Sequence, residues 1–228
     1  MIEKGRISVR TLVIIALLSA MACVLMLLVN ISFMPGNEFL IFDLKDVPII
    51  IGGFLFGPYA VIAMSIVVSF IEMVTVSKDG WVGFAMNVLS TCAFACPAAL
   101  IYMKKRNLKG AVIGLVAGWL FVTGVMVLWN YVVTPVYRGF PRAAIVPMLA
   151  TVFMPFNLIK YGFSAAISML VYKPVSLALK KAKIIVQSEK KTTIKENLVI
   201  GIILAICLAA IPFVFLILVQ QGVISPNN

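Results

Sequence analysis

The chain has 228 residues, of which 63% are hydrophobic and only 12% charged, about half the usual charged share of roughly 25%. Nineteen Lys and Arg against eight Asp and Glu give a net charge of +11, and there is no histidine. So apolar a composition excludes a soluble domain and a disordered chain, and it argues against a nucleic-acid partner despite the positive charge. The class that remains is an all-α, polytopic integral membrane protein whose partner is the lipid bilayer.

A membrane-crossing helix needs about 20 mostly apolar residues. The first such run is Thr11 to Val29, behind Lys4, Arg6 and Arg10. It is too long for a signal peptide and lacks a clear small-residue cleavage site, so no cleavable leader is expected. A polar loop, Asn30 to Asp46, carries Pro35, Gly36, Glu38, Asp43, Lys45 and Asp46. Val47 to Phe56, closed by Gly57-Pro58, is short for a span and is expected to be a thinned helix packed against protein. Further spans are expected at Pro58–Val76, Trp81–Met103, Gly110–Val133 and Pro147–Tyr172, the last after a loop holding Pro135, Arg138, Pro141 and Arg142. The chain thus divides into a six-helix membrane domain over 1–180, a basic linker over 181–197 and an extra C-terminal hydrophobic segment over 198–219. That last segment either crosses the bilayer or lies in it.

Lys and Arg resist translocation and collect on the cytoplasmic side. With the N-terminus inside, 14 of the 19 basic residues are cytoplasmic, including Lys104, Lys105, Arg106 and Lys109 of one turn and Lys180, Lys181 and Lys183 of the linker. The opposite face then holds Lys45, Lys78, Arg138 and Arg142 with five acids, Glu38, Asp43, Asp46, Glu72 and Asp79. The expectation is therefore a multi-pass cell-membrane protein with a cytoplasmic N-terminus.

Lys160 alone among the basic residues falls inside a span. An ionisable group there costs about 2.5–3.5 kcal/mol on insertion scales, so it is a functional candidate by default. Asn157 is three residues earlier, on the same helix face. Asn130 and Asn87 lie at similar depth in the neighbouring spans. The alternatives are a lysine that snorkels to the outer interface and asparagines that bond to adjacent helices. As a group, three amides and an ammonium suit recognition of a flat heterocycle with carbonyl and ring-nitrogen groups. Phe33, Phe39, Phe42, Trp129, Tyr131 and Phe156 are candidates for an aromatic lining. The acidic loop after the first span is either a lid over this site or a solvated connector.

Little else suggests chemistry. Cys23, Cys92, Cys96 and Cys207 all lie in apolar stretches. With no histidine and no nearby carboxylate they read as packing residues, not metal ligands. There is no G-x-x-x-x-G-K-[ST], G-x-S-x-G or H-E-x-x-H motif, so neither ATP hydrolysis nor other catalysis is expected, and no cofactor or metal is called for. Ala16 and Ala20, Gly110, Gly114 and Gly118, and Ser164 and Ser168 form small-residue faces. Such faces allow close helix approach, internally by default and, for the alanine pair, as contact with a partner helix.

Three stretches carry a resemblance: Asp43-Leu44-Lys45-Asp46-Val47-Pro48 running on to Gly52-Gly53-Phe54-Leu55-Phe56-Gly57-Pro58; Met86-Asn87-Val88-Leu89 with Pro97-Ala98-Ala99-Leu100-Ile101-Tyr102; and Pro155-Phe156-Asn157-Leu158-Ile159-Lys160. Over about residues 10 to 180 the chain resembles the substrate-binding S components of energy-coupling factor (ECF) vitamin transporters, in their riboflavin branch. The resemblance implies a six-helix bundle with an outward-facing vitamin pocket. It implies that Asn157, Lys160 and Asn130 contact the isoalloxazine ring, with Glu38, Phe39 and Leu40 of the covering loop near the ribityl chain and Asn87 alongside. It implies that Ala16 and Ala20 meet a shared transmembrane coupling subunit, energised by two ATP-binding subunits. Riboflavin is then a transported ligand, with FMN or other flavin analogues as further candidates. An S component for another vitamin, or a membrane assembly or sensor protein, stands as the alternative. The segment 198–219 has no counterpart in the six-helix pattern.

Overall fold

The computed structural model describes residues 8–32 and 40–181. Glu38, Phe39, Phe33, the linker over 182–197 and the hydrophobic segment 198–219 lie outside the described residues, as does Cys207. Among the described residues the chain is all-α. The helices are α1 Val9–Leu28, α2 Asp46–Phe56, α3 Pro58–Thr75, α4 Gly80–Lys105 and α5 Leu108–Val132. Short helices α6 Thr134–Arg138 and α7 Arg142–Met148, then a π-helical turn Leu149–Phe153, lead into α8 Met154–Lys181. Among the described residues, five helical stretches are long and apolar enough to cross a membrane, and α2 is a further, shorter apolar helix.

Each boundary has a local cause. The Ser8 hydroxyl accepts from the Thr11 N–H and caps α1. Arg106 in the left-handed region ends α4, and the Asn107 side chain accepts the Gly110 N–H at 2.7 Å to start α5. Between α2 and α3, Gly57 sits at φ +92°, where a side chain is strained, and Pro58 opens the next helix without an N–H to satisfy. Before α8, Pro155 lacks the N–H for the Thr151 carbonyl and its ring crowds that group. The wider π turn falls on the residues that would clash. This is where the structure departs most from the sequence expectation: much of the loop expected between the fifth and sixth spans is helical, and the last helical stretch begins at Arg142 instead of Pro147.

Burial sorts the helices. In α1 only Leu18, Ser19, Ala22, Cys23 and Met26 are buried, a single stripe, and the rest of its apolar surface faces outward. In α2 every residue from Asp46 to Phe54 is buried. At about 1.5 Å per residue it is only about half the thickness of a bilayer core, and it lies within the bundle against α1, α3, α4 and α8. Because lipid is as apolar as leucine, close fit holds such helices together more than hydrophobic transfer does. Glycines supply that fit between α4 and α5. A Cβ at Gly118 would stand 2.2 Å from the Phe94 carbonyl oxygen, and one at Gly114 would stand 2.7 Å from that of Ala98. The Gly-xxx-Gly face thus serves internal packing. Trp119 of α5 lies against Gly162 of α8 and donates to the Leu158 carbonyl at 2.9 Å, which fixes the height of α8.

The loop after α1 is tied at both ends. Ile31 and Phe42 exchange two backbone hydrogen bonds, at 3.0 and 2.9 Å, as an isolated antiparallel bridge. Leu40 is buried with Ile145, Phe153 and Phe156, a small apolar cluster shared by the loop, α7, the π turn and α8. Loop and α8 are thereby held together at one end of the bundle.

Candidate functional site

That end contains a cavity of about 870 Å³, within the usual range of small-molecule sites, roughly 300–1,000 Å³. The C-terminal ends of α1, α3 and α5 and the N-terminal parts of α4 and α8 converge on it. The basic turn Lys104-Lys105-Arg106 sits at the opposite end of α4.

Four of the residues expected from sequence meet here. Asn87, Asn130, Asn157 and Lys160 all line the cavity, and Leu40 lines it from the loop. The two asparagines nearest Lys160 are set in the same way. Asn130 Nδ2 donates to the Met126 carbonyl and Asn157 Nδ2 to the Phe153 carbonyl, each at 2.7 Å and each four residues back. Thr134 adds a hydroxyl donor to Asn130 Oδ1 at 2.9 Å. One amide hydrogen is spent on fixing each side chain, and the second, together with acceptor capacity on each carbonyl oxygen, is left for another partner.

Lys160 is 6% exposed. It does not snorkel. Its ammonium donates to Asp43 Oδ2 at 2.8 Å and to the Ile41 carbonyl at 3.1 Å. Two of its three N–H groups are used, so one remains for a further partner.

The sequence places Asp43, Asp46 and Glu72 on the same side as this cavity, and the structure adds that they are buried there. Asp43 and Asp46 are at most 1% exposed, and Glu72 is 6% exposed. Lys45, counted with the outer basic residues, is 1% exposed. Its ammonium is bonded to Glu72 and lies 3.6 Å from Asp43, while its backbone N–H donates to Asp43 Oδ1 at 3.1 Å. The result is a buried chain of charges, Glu72–Lys45–Asp43–Lys160, that joins α3, the loop and α8. Asp46 stands beside it, with Oδ1 accepting from the Thr91 hydroxyl at 2.7 Å. Burial alone would push the Asp43 carboxyl up, but Lys160 and Lys45 outweigh it and hold the group below the usual carboxylate range. No sequence signal marks these partners, because the pairs are separated by 117 and 27 residues. The one available hint was that two Lys and three acids cluster at the same end of the predicted topology.

The expected aromatic lining is corrected. Phe156 lines the cavity, and Tyr161, not foreseen, joins it. Trp129 is buried in the main core and Tyr131 is exposed on the outer surface of α5. Helical geometry is the reason: neighbours of the inward Asn130 are rotated about 100° to either side. Phe42 stacks edge-on with Phe163 instead, at 5.8 Å between ring centroids.

At the rim, Asp79 accepts from Arg138 Nη2 at 2.6 Å and from the Tyr137 hydroxyl at 3.0 Å. The Arg138 guanidinium also lies 4.9 Å from the Tyr137 ring centroid. Burial, reinforced by Asp79, raises the Tyr137 hydroxyl above its ordinary value. Ala16 and Ala20 are exposed on the outer face in the middle of α1, beside exposed Leu12, Val13, Leu17 and Val24. Cys92 and Cys96 are buried in the core, where they act as small apolar side chains.

Comparison with known proteins agrees with this architecture. Residues 10–172 match the family model described as "ECF transporter, substrate-specific component". The chain is 32% identical over 179 residues to the riboflavin transporter RibU of Staphylococcus aureus, covering 75% of this chain and 93% of that protein. It is 31% identical over 161 residues to the riboflavin transporter FmnP of Bacillus subtilis, covering 67% and 84%. A solved structure of the S component of a bacterial ECF transporter superposes with a TM-score of 0.63 at 31% identity, covering 75% of this chain and 97% of that one. The chain is a multi-pass bacterial membrane protein and belongs to the substrate-specific components of ECF transporters.

Proposed function

We infer that this chain captures riboflavin in the cavity between α1, α3, α4, α5 and α8 and presents it for ATP-driven uptake, without ATPase or other enzymatic activity of its own. The observation that carries this reading is the convergence of Asn130, Asn157 and Lys160 on one buried wall, each with hydrogen-bonding capacity left over. A flavin ring presents two carbonyls, an imide N–H and ring nitrogens along one edge, which matches two amides and an ammonium. The names of the similar RibU and FmnP proteins support the same ligand. Expected partners are the transmembrane coupling subunit, through Ala16 and Ala20, and two ATP-binding subunits. The basic turn at 104–106 faces the cytoplasm together with the N-terminus, so the cavity opens outward.

The charged side chains lining the cavity are Asp43, Glu72 and Asp79 against Lys78, Arg138 and Lys160. These balance, and Arg138 is already paired with Asp79. No net positive field selects a phosphate, so FMN is expected to bind more weakly than riboflavin. The test is direct. Protein purified in detergent should be yellow, with flavin absorbance that survives washing. Added riboflavin should quench the fluorescence of Trp129, which lies in the wall behind Asn130. A colourless protein whose tryptophan fluorescence ignores riboflavin would sink the reading, and in that case other vitamins would be screened by the same quenching.

A further inference from the structure

Lys45 is the one member of the buried charge chain that does not line the cavity. Glu72, Asp43 and Lys160 all do. Lys45 therefore stands behind the wall, 1% exposed, with its ammonium between the two cavity carboxylates. Its position has consequences in both directions. Without a second cation, Asp43 and Glu72 would share Lys160 as their nearest counter-charge, and that ammonium would be drawn between them. With the Lys45 ammonium in place, Glu72 is satisfied from behind and Asp43 Oδ2 has a second cation 3.6 Å away, while the backbone N–H at position 45 holds Oδ1 at 3.1 Å whatever the side chain. Lys160 then meets a carboxylate whose place is fixed and whose charge is partly spent. Its third N–H stays available.

We propose that Lys45 is a positioning residue of the ligand site: anchored on Glu72, it shares the Asp43 carboxylate with Lys160 and so sets where the Lys160 ammonium stands and how much of its charge is left for the ligand. This rests on riboflavin capture as proposed above and assigns a role to a residue that touches no ligand. The distinction from a purely structural role is energetic coupling. A residue that acts through Lys160 loses its effect on binding once Lys160 is gone; one that merely holds the fold together does not.

The experiment is a double-mutant cycle read by tryptophan quenching with riboflavin. Lys45→Met alone leaves Glu72 buried without a counter-charge and risks misfolding, so Lys45→Met is made on top of Glu72→Gln, and because Glu72 lines the cavity the reference is Glu72→Gln alone. Relative to that reference, in the otherwise native chain, the pair should weaken riboflavin binding about tenfold, one order on the affinity scale. In a background lacking both Lys160 and its carboxylate partner, Lys160→Met with Asp43→Asn, the same step should change affinity less than about twofold. Equal losses in both backgrounds, or no loss in the native background, overturn the proposal. A misfolded pair, seen as loss of a cooperative melt in detergent, overturns it too, because Lys45 would then be required for the fold itself. A native chain that binds no riboflavin overturns the functional reading as well, and this outcome is distinguishable because it appears before any substitution is made.

Discussion

At the residue scale, Lys160 carries the largest single load. Replacing it with Met keeps the length and apolar stem but removes a charged donor worth roughly 1.5–3 kcal/mol. Riboflavin affinity should fall about 10- to 100-fold, measured by quenching, and Asn157→Ala should follow with a smaller loss of about tenfold. Asp43 makes the site sensitive to acid. Its folded value is depressed, so its contribution to stability is complete above the unfolded value of about 3.9 and is lost as pH falls through the lower folded value. The detergent melting temperature should hold between about pH 7 and pH 5 and drop below about pH 4; a decline beginning at neutral pH would point to a different group. Lys160 and Asn157 were legible in the sequence because one lies in hydrocarbon and the other is three residues away on the same face. Asn130 and Asn87 were legible by depth. The partners Asp43, Lys45 and Glu72 were not, because a buried acid written in a polar loop looks the same as a solvated one. Only the fold reveals that the loop end dives beneath α8.

At the element scale, the α4–α5 contact is set by backbone approach and should tolerate no side chain. Gly118→Ala places a methyl on the Phe94 carbonyl and should cost about 3 kcal/mol, the upper end of ordinary overpacking. Gly124, on the same helix, has nothing within 4 Å of its Cβ position. Gly124→Ala should therefore gain up to about 1 kcal/mol from helix propensity. Thermal unfolding of the two variants in one detergent compares them directly. The α1 face argues differently. Ala16→Trp adds bulk on an outward surface, so flavin binding and melting should stay unchanged while co-purification with the coupling subunit is lost. The short helix α2 was readable from its length and its Gly57-Pro58 stop. The helical character of 134–148 was not, because three prolines in a short polar stretch read as loop although each opens or tolerates a turn of helix.

At the scale of the whole molecule, the two ends of the bundle are chemically distinct: the cavity and its buried ions at one, the basic turn at the other. Orientation is therefore testable with two single cysteines placed in a Cys207→Ser chain, since Cys23, Cys92 and Cys96 are buried. Phe140→Cys should react with an impermeant maleimide added to intact cells, and Asn107→Cys only after the cells are opened. The apolar composition made the membrane class and the five long spans of the described residues plain, since twenty apolar residues in a row have one physical use. The bundle's internal arrangement was beyond it, because α2 is apolar on every side after Asp46 and periodicity cannot say which face meets which neighbour. The Ile31–Phe42 bridge has a consequence at this scale as well. It fastens Phe42 to Ile31 by backbone atoms alone, one residue after Ile41, whose carbonyl holds Lys160. Because those hydrogen bonds use no side chain, the register that brings the Ile41 carbonyl to Lys160 tolerates any residue but proline at 31 and 42.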